Sequence, residues 1–283
     1  MAALLALLSA TAYGAGDFFG GLSARRLPSV AVVLRSHVVG LLGLLALVPL
    51  VGGALTGNDL RVSALGGVDG GLGVMLFYRA MTTGAMSLVA PVTSVTAALV
   101  PVSYGLATGD RPSWLGLVGI PLALGAVVML AREPADEGSR GMTLSQLGVA
   151  LAAGAGFGAF FIALDATSAD AGLWPVVAGR VASITLFSLV TLVNPAVRVG
   201  DGRARSGSAL AMIVACGLLD AWANALFLAA TRHGMISLVS VLSALYPAAT
   251  LLLARSVLGE RLARPQLAGV VLAVVAVALV TVA

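Results

Sequence analysis

The stretch 77–127 recurs at 227–277, always 150 positions later and without a gap. Phe77 returns as Phe227, Gly84 as Gly234, and Ser87-Leu88-Val89 as Ser237-Leu238-Val239. Gly109-Asp110-Arg111 returns as Gly259-Glu260-Arg261, and Leu117-x-Gly119 as Leu267-x-Gly269. Fifteen of the fifty-one positions are identical. A chain this rich in Ala, Leu, Val and Gly gives about five by chance, so the repeat is real. The repeated unit is almost wholly apolar, and a duplicated membrane unit with a site between its copies is a common build for a transporter.

The repeat does not stand out from an otherwise soluble chain. The sequence is 59% hydrophobic and 10% charged, with a mean hydropathy of +1.05. Too few polar residues remain to cover a soluble surface. Bilayer-length apolar stretches follow one another throughout, and a helix satisfies its own backbone within one such stretch. Strand-like alternation is weak, which argues against a barrel. The expected fold is an all-α membrane protein of ten transmembrane helices. The predicted spans are about 2–22, 29–52, 62–82, 86–107, 113–131, 144–165, 173–194, 208–231, 235–257 and 265–282. Ala10-Thr11-Ala12 looks like a signal-peptidase site, but no basic region precedes it and the apolar run continues beyond, so the first stretch reads as a span.

The densest charge cluster, Arg132-Glu133-Pro134-Ala135-Asp136-Glu137-Gly138-Ser139-Arg140, is the natural join between halves. It predicts two five-helix units, 1–135 and 141–283. A second polar joint runs over 198–207. The early spans match more loosely: Gly14-x-Gly16-x-Phe18-Phe19 resembles Gly156-x-Gly158-x-Phe160-Phe161, and Arg35 in span 2 resembles Arg180 in span 7. Five spans is an odd number, so the second copy enters the membrane from the opposite side and the halves are inverted repeats.

These features resemble a known family. Five spans twice, Tyr13-Gly14-x-x-Asp17-Phe18 in span 1, an arginine in spans 2 and 7, Ser-Leu-Val opening spans 4 and 9, and Gly109-Asp110 and Gly259-Glu260 before spans 5 and 10 are similar to the EamA branch of the drug/metabolite transporter superfamily. The resemblance covers nearly the whole chain. It implies a ten-helix exporter or permease of small metabolites in the cell membrane, and both termini in the cytoplasm.

An ionisable group inside the hydrocarbon costs a few kcal/mol on insertion scales, so each needs a reason. Asp17, Arg35, Asp69, Arg180 and Asp220 lie inside predicted spans, with His37 as a sixth candidate. Cys216, Asp220 and Asn224 share one helical face, as do Ser9, Tyr13 and Asp17. Both stripes read as walls of a polar cavity. Arg35 and Arg180 read either as anchors for a substrate carboxylate or as structural counter-charges, Arg180 for Asp220 and Arg35 or His37 for Asp17, while His37 is also available as a proton relay. Asp69 aligns beside Asp220 in the repeat, among Gly66, Gly67, Gly70, Gly71 and Gly73, which also suit close helix packing. In spans 4 and 9, Thr93 and Thr96 match Ser243 and Tyr246, and Pro91, Pro101 and Pro247 free backbone carbonyls. Interruptions at corresponding places in two halves point to a binding site. Tyr13, Phe18, Phe19, Phe77, Tyr78, Phe160, Phe161, Trp222 and Tyr246 are available as an aromatic lining, while Trp114 and Trp174 read as interfacial anchors.

The leading expectation is a secondary transporter of small molecules that rocks two inverted halves around a central cavity. Asp220, Asp69 and Asp17 can take up and release protons, which suggests a proton as coupling ion. No GxxxxGK[ST] loop is present. No cofactor or metal is expected, because the single Cys216 forms neither an intrachain disulfide nor a thiolate site alone. The net charge of +4 comes from arginines scattered at helix ends, so nucleic acid is not an expected partner. The partners are the bilayer and a small-molecule substrate, with the protein acting as monomer or homodimer. An alternative is an intramembrane aspartyl protease, since Gly14-Ala15-Gly16-Asp17 fits a GxGD pattern with Asp165 or Asp220 as second carboxylate, though no late Pro-Ala-Leu element accompanies it. A non-transporting scaffold is the third reading.

The arginines also predict orientation. Eleven lie near the odd-numbered linkers (1–2, 3–4, 5–6, 7–8 and 9–10), and Arg61, Arg111 and Arg232 near the others. The positive-inside rule therefore places the odd linkers in the cytoplasm and both termini outside, opposite to the family habit.

Overall fold

The computed structural model describes residues 1–24, 27–83, 86–131, 143–193, 207–259 and 263–282. The 132–140 joint, nearly all of the 198–207 joint, Gly84, Glu260 and Arg261, and the side chain of Tyr78 lie outside the described residues. The helices are α1 (Ala2–Ala24), α2 (Ser29–Val51), α3 (Gly57–Thr83), α4 (Met86–Thr108), α5 (Trp114–Leu130), α6 (Leu144–Asp165), α7 (Trp174–Val193), α8 (Gly207–Thr231), α9 (Ile236–Ser243), α10 (Tyr246–Leu258) and α11 (Arg264–Val282). Among the described residues, nine helical segments are long and apolar enough to cross a bilayer, with α9 and α10 counted as one. At 17 residues, α5 is a shorter tenth, just within the range that spans a hydrocarbon core.

The ends follow from local chemistry. Thr143 and Gln146 form a reciprocal capping box at the start of α6. Thr56 and Asp59 do the same for α3, with Asp59 N–H donating to Thr56 Oγ1 (3.1 Å) and Thr56 N–H to Asp59 Oδ2 (3.0 Å). This cap starts α3 five residues before the expected span. At the end of α10, Gly259 adopts φ 71°, a left-handed stop that suits glycine.

Span 9 is broken between α9 and α10. Pro247 has no N–H for the Ser243 carbonyl, and its ring excludes a continuous turn there. It sits instead in the first turn of α10, where a donor is not needed. Matching interruptions were expected in spans 4 and 9, but α4 is one continuous helix. The reason is in the register: Ala97 stands where Pro247 stands in the second copy and keeps its amide.

The packing has a pseudo-two-fold pattern. α1 runs antiparallel to α8, with Ser9 Oγ donating to the Ala223 carbonyl (2.8 Å) and Gly20 beside Cys216. Its mate is the antiparallel pair α6 and α3, where Gly70 faces Phe160 and Gly73 faces Phe157. α2 lies along α8 as α7 lies along α3, and α1 lies along α9 and α10 as α6 lies along α4. Even small contacts recur: Thr93 Oγ1 donates to the Ala150 carbonyl (3.2 Å), and its mate Ser243 Oγ to the Ala6 carbonyl (3.4 Å). Repeat mates meet each other at α2 with α7, α4 with α9, and α5 with α11. α5 and α11 pack antiparallel, with Gly119 against Val280 and Gly269 against Leu130, so the copies are inverted.

The most extensive contacts cross between halves and build two mixed bundles: α1, α2, α8, α9 and α10 on one side, and α3, α4, α6 and α7 on the other, with α5 and α11 beside them. Glycines allow backbones within each bundle to touch. A Cβ on Gly67 would collide with the Gly179 backbone, and one on Gly217 with the Ser36 backbone.

Candidate functional site

Where the mixed bundles face each other, α7 and α8 bring Arg180 and Asp220 together. Arg180 Nη2 donates to Asp220 Oδ2, forming an ion pair from one bundle to the other. Arg180 is only 7% exposed, whereas Asp220 is 33% exposed, so one face of the carboxylate remains open. One turn on, Asn224 Nδ2 donates to the Asp220 carbonyl (2.7 Å), and Asn224 Oδ1 accepts from the Tyr13 hydroxyl (2.8 Å). Tyr13 in turn packs edge-on against Phe161, which stacks on Phe227 with ring centroids 4.3 Å apart.

Asp17 lies one turn beyond Tyr13 on the same face of α1. It is exposed, yet it lies within electrostatic range of Asp220, Cys216, Tyr13 and Tyr246. Its neighbours on α1, Gly16 and Gly20, pack against the backbone of Asp220 and the sulfur of Cys216, which sets this turn of α1 against α8. Among the described residues it has no hydrogen-bond or ion-pair partner. Tyr246, the first residue after the break, shares a 2.7 Å hydrogen bond with Ser94 of α4. His37 Nδ1 lies 2.9 Å from Ser183 Oγ. The Ser183 hydroxyl donates to the Arg180 carbonyl (3.0 Å), which leaves His37 to donate to Ser183. His37 thus buttresses the helix that carries Arg180.

Other candidates stand apart. Arg35 shares the outward stripe of α2 with Val38, Leu42 and Leu45, and pairs with neither Asp17 nor any other described residue. It is not the packing mate of Arg180 either. Gly67 packs on Gly179, and 150 positions later Gly217 packs on Ser36, so Ser36 matches Gly179 and His37 matches Arg180. Asp69 lies on the α3 stripe of Leu65 and Leu72, away from Asp220. Thr93, Thr96 and Ser243 bond to helix carbonyls in the packing of α4 and α9, and Ser94 rather than Thr93 or Thr96 reaches Tyr246. Trp222 is half-exposed on the outer side, Trp114 is exposed, and Trp174 Nε1 donates to the Gly53 carbonyl (3.1 Å).

Below this group, towards the face that carries both termini, the bundle is tightly closed. Ala6, Phe227, Val239, Leu242 and Asn224 are all buried there. Polar linkers seal the end. Asp59 accepts from Ser168 N–H and Oγ–H (2.8 Å each). Arg232, after α8, donates to the Asp165 carbonyl (3.1 Å), Thr167 Oγ1 (2.7 Å) and the Ser168 carbonyl (3.2 Å), crossing from one bundle to the other. Asp110, after α4, accepts from Ser237 N–H at the start of α9 (2.9 Å), a second crossing. Burial lowers the Arg232 pKa, and the Asp165 and Asp59 carboxylates oppose that shift. The sequence gives Asp59 no role and marks Arg232 only as a linker charge. The Thr56-x-x-Asp59 capping pattern was the visible signal for the first, but no local pattern marks the second.

The chain matches the family model described as the EamA-like transporter family over residues 1–132 and 144–282. No curated protein matches it. A solved structure titled "Crystal structure of protein" shares its fold at a TM-score of 0.78 and 17% identity, covering 99% of this chain and 96% of that one. With a family model spanning nearly all of its length and a fold of two inverted five-helix repeats, this multi-pass membrane chain belongs to the EamA-like transporter family.

Proposed function

We propose that the protein is a secondary transporter of small molecules in the cell membrane, working by alternating access between its two mixed bundles. The observation that carries this reading is the exposed Asp17, beside the half-open Asp220, above a bundle end sealed by Arg232 and Asp110. Asp17 is seven residues from the end of α1, about 10 Å along the helix. A vestibule reaching it from the odd-linker face and closed below is one half of a transport cycle. Breaking the Arg232 and Asp110 crossings while closing the upper ends would give the other half. The expectation that sequence halves 1–135 and 141–283 rock as units is replaced here by motion of the mixed bundles.

The proton is the proposed coupling ion, and Asp17 the group that takes it up. The groups within electrostatic range of Asp17 are Tyr13 on α1, Cys216 and Asp220 on α8, and Tyr246 on α10, with Arg180 of α7 paired to Asp220. Asp220 is already held by Arg180, so Asp17 has the freer carboxylate.

Vesicles containing the protein, given a pH gradient and incubated with a metabolite extract, should change their content of at least one small molecule in a gradient-dependent way. A polar thiol reagent should reach Cys216, next to this space, and transported molecules should protect it. Gradient-independent content together with an unreachable Cys216 would refute the proposal.

The arginine count places the odd-linker face in the cytoplasm. The vestibule then opens inward, as a loading state of an exporter requires. Reporters fused to each terminus should be active only when they need the outer side; activity confined to cytoplasmic reporters would reverse the orientation.

A further inference from the structure

We propose that the substrate is a monovalent organic cation, a protonated amine on an apolar or aromatic body. This rests on the transporter reading above and names the chemistry of the same space.

Charge compensation sets the sign of what this space can hold. An ionised group inside a bilayer needs a counter-charge or several hydrogen bonds. Within the bundle, Asp220 has Arg180. At the sealed end, Arg232 has two carbonyls and a hydroxyl, Asp59 has the donors of Thr56 and Ser168, and Asp110 has Ser237 N–H. Asp17 faces the interior and is left without a partner among the described residues. Among the described residues its electrostatic neighbours add a second carboxylate, Asp220, and no free cation. With Arg180 cancelling one of the two carboxylates, the space carries one net negative charge when Asp17 is ionised.

The surroundings favour an organic ion over a metal. No group of three or more His, Cys, Asp or Glu side chains among the described residues converges to bind a metal ion. Tyr13, one turn away on α1, and Tyr246 of α10 lie within electrostatic range of Asp17 instead, and aromatic faces attract ammonium groups. A substrate carboxylate has no free anchor, because the Arg180 guanidinium is engaged by Asp220. An anion or zwitterion would set its carboxylate against Asp17 and Asp220. A singly charged amine supplies the missing charge and sets its body against the tyrosine rings.

The test uses full-length protein in lipid nanodiscs and three probes of similar shape: 2-phenylethylamine as the cation, phenylalanine as the zwitterion and 3-phenylpropionate as the anion. Equilibrium binding and protection of Cys216 from a polar thiol reagent are read for each. The amine should bind and protect, and the other two should bind about tenfold more weakly or worse. Asp17→Asn should weaken amine binding about tenfold, while Asp17→Glu, which keeps the charge, should retain it within a few-fold. Protection by phenylalanine or phenylpropionate equal to that by the amine would leave the cavity standing and sink the cation. Amine binding indifferent to Asp17→Asn would also sink it. A Cys216 that no reagent reaches, with no binding of any probe, would remove the cavity itself.

Discussion

Replacing Asp220 with asparagine should abolish gradient-driven transport and lower stability together. Arg180 is buried, and Asp220 is its ion-pair partner in the fold. Removing one member of a buried pair costs about 3–5 kcal/mol, because the other charge is left uncompensated. Asp220 is one-third exposed, so solvent screening reduces part of that loss, and about 3 kcal/mol is the better figure. The ion pair also bridges the bundles, so its loss removes a contact between the two bodies proposed to move. A double variant, Arg180→Gln with Asp220→Asn, should recover most of the thermal stability in detergent and none of the uphill transport. If Asp220→Asn melts like the wild type, the pair is not structural. If it transports uphill normally, Asp220 takes no part in coupling.

The second large effect comes from cutting the chain. The fragments 1–135 and 141–283 should each insert but fail to fold alone, because α1 lacks α8, α3 lacks α6 and α5 lacks α11. Made together, they should associate into a complex that co-purifies and resists protease. Cysteine accessibility in the co-expressed pair should show equivalent ends of the two fragments on opposite sides of the membrane. Two fragments that fold independently, or lie the same way round, would contradict the interlocked inverted arrangement.

The fold was legible because the bilayer reduces the problem to counting apolar stretches, and the 150-residue repeat then sets their symmetry. The stripe Cys216, Asp220 and Asn224, and the alternative of an Arg180–Asp220 pair, could also be read, because helical spacing places side chains on a face. What could not be read was partner choice across helices. Arg35 and Asp69 were ranked with Asp17 because each is an ionisable residue in a span, and only packing shows that both stand on outward stripes. The match of Arg35 to Arg180 followed residue type, whereas the glycine contacts put His37 in that place. Arg232 was invisible as a seal because its acceptors are backbone carbonyls and a threonine 64 to 67 residues away, which no sequence pattern encodes.

The contacts between repeat mates, α2 with α7, α4 with α9 and α5 with α11, are those an isologous dimer of five-helix subunits would make across its axis. In such a dimer every residue appears twice, and a change that creates a carboxylate on one side creates it on the other. Joining the copies in one chain lifts that constraint. Asp17, Pro247 and the Arg180–Asp220 pair each occur in one copy only, with Ala97 and His37 at the places matching Pro247 and Arg180. A single unmatched negative charge is therefore something the fused chain can hold and a symmetric dimer of identical subunits could not.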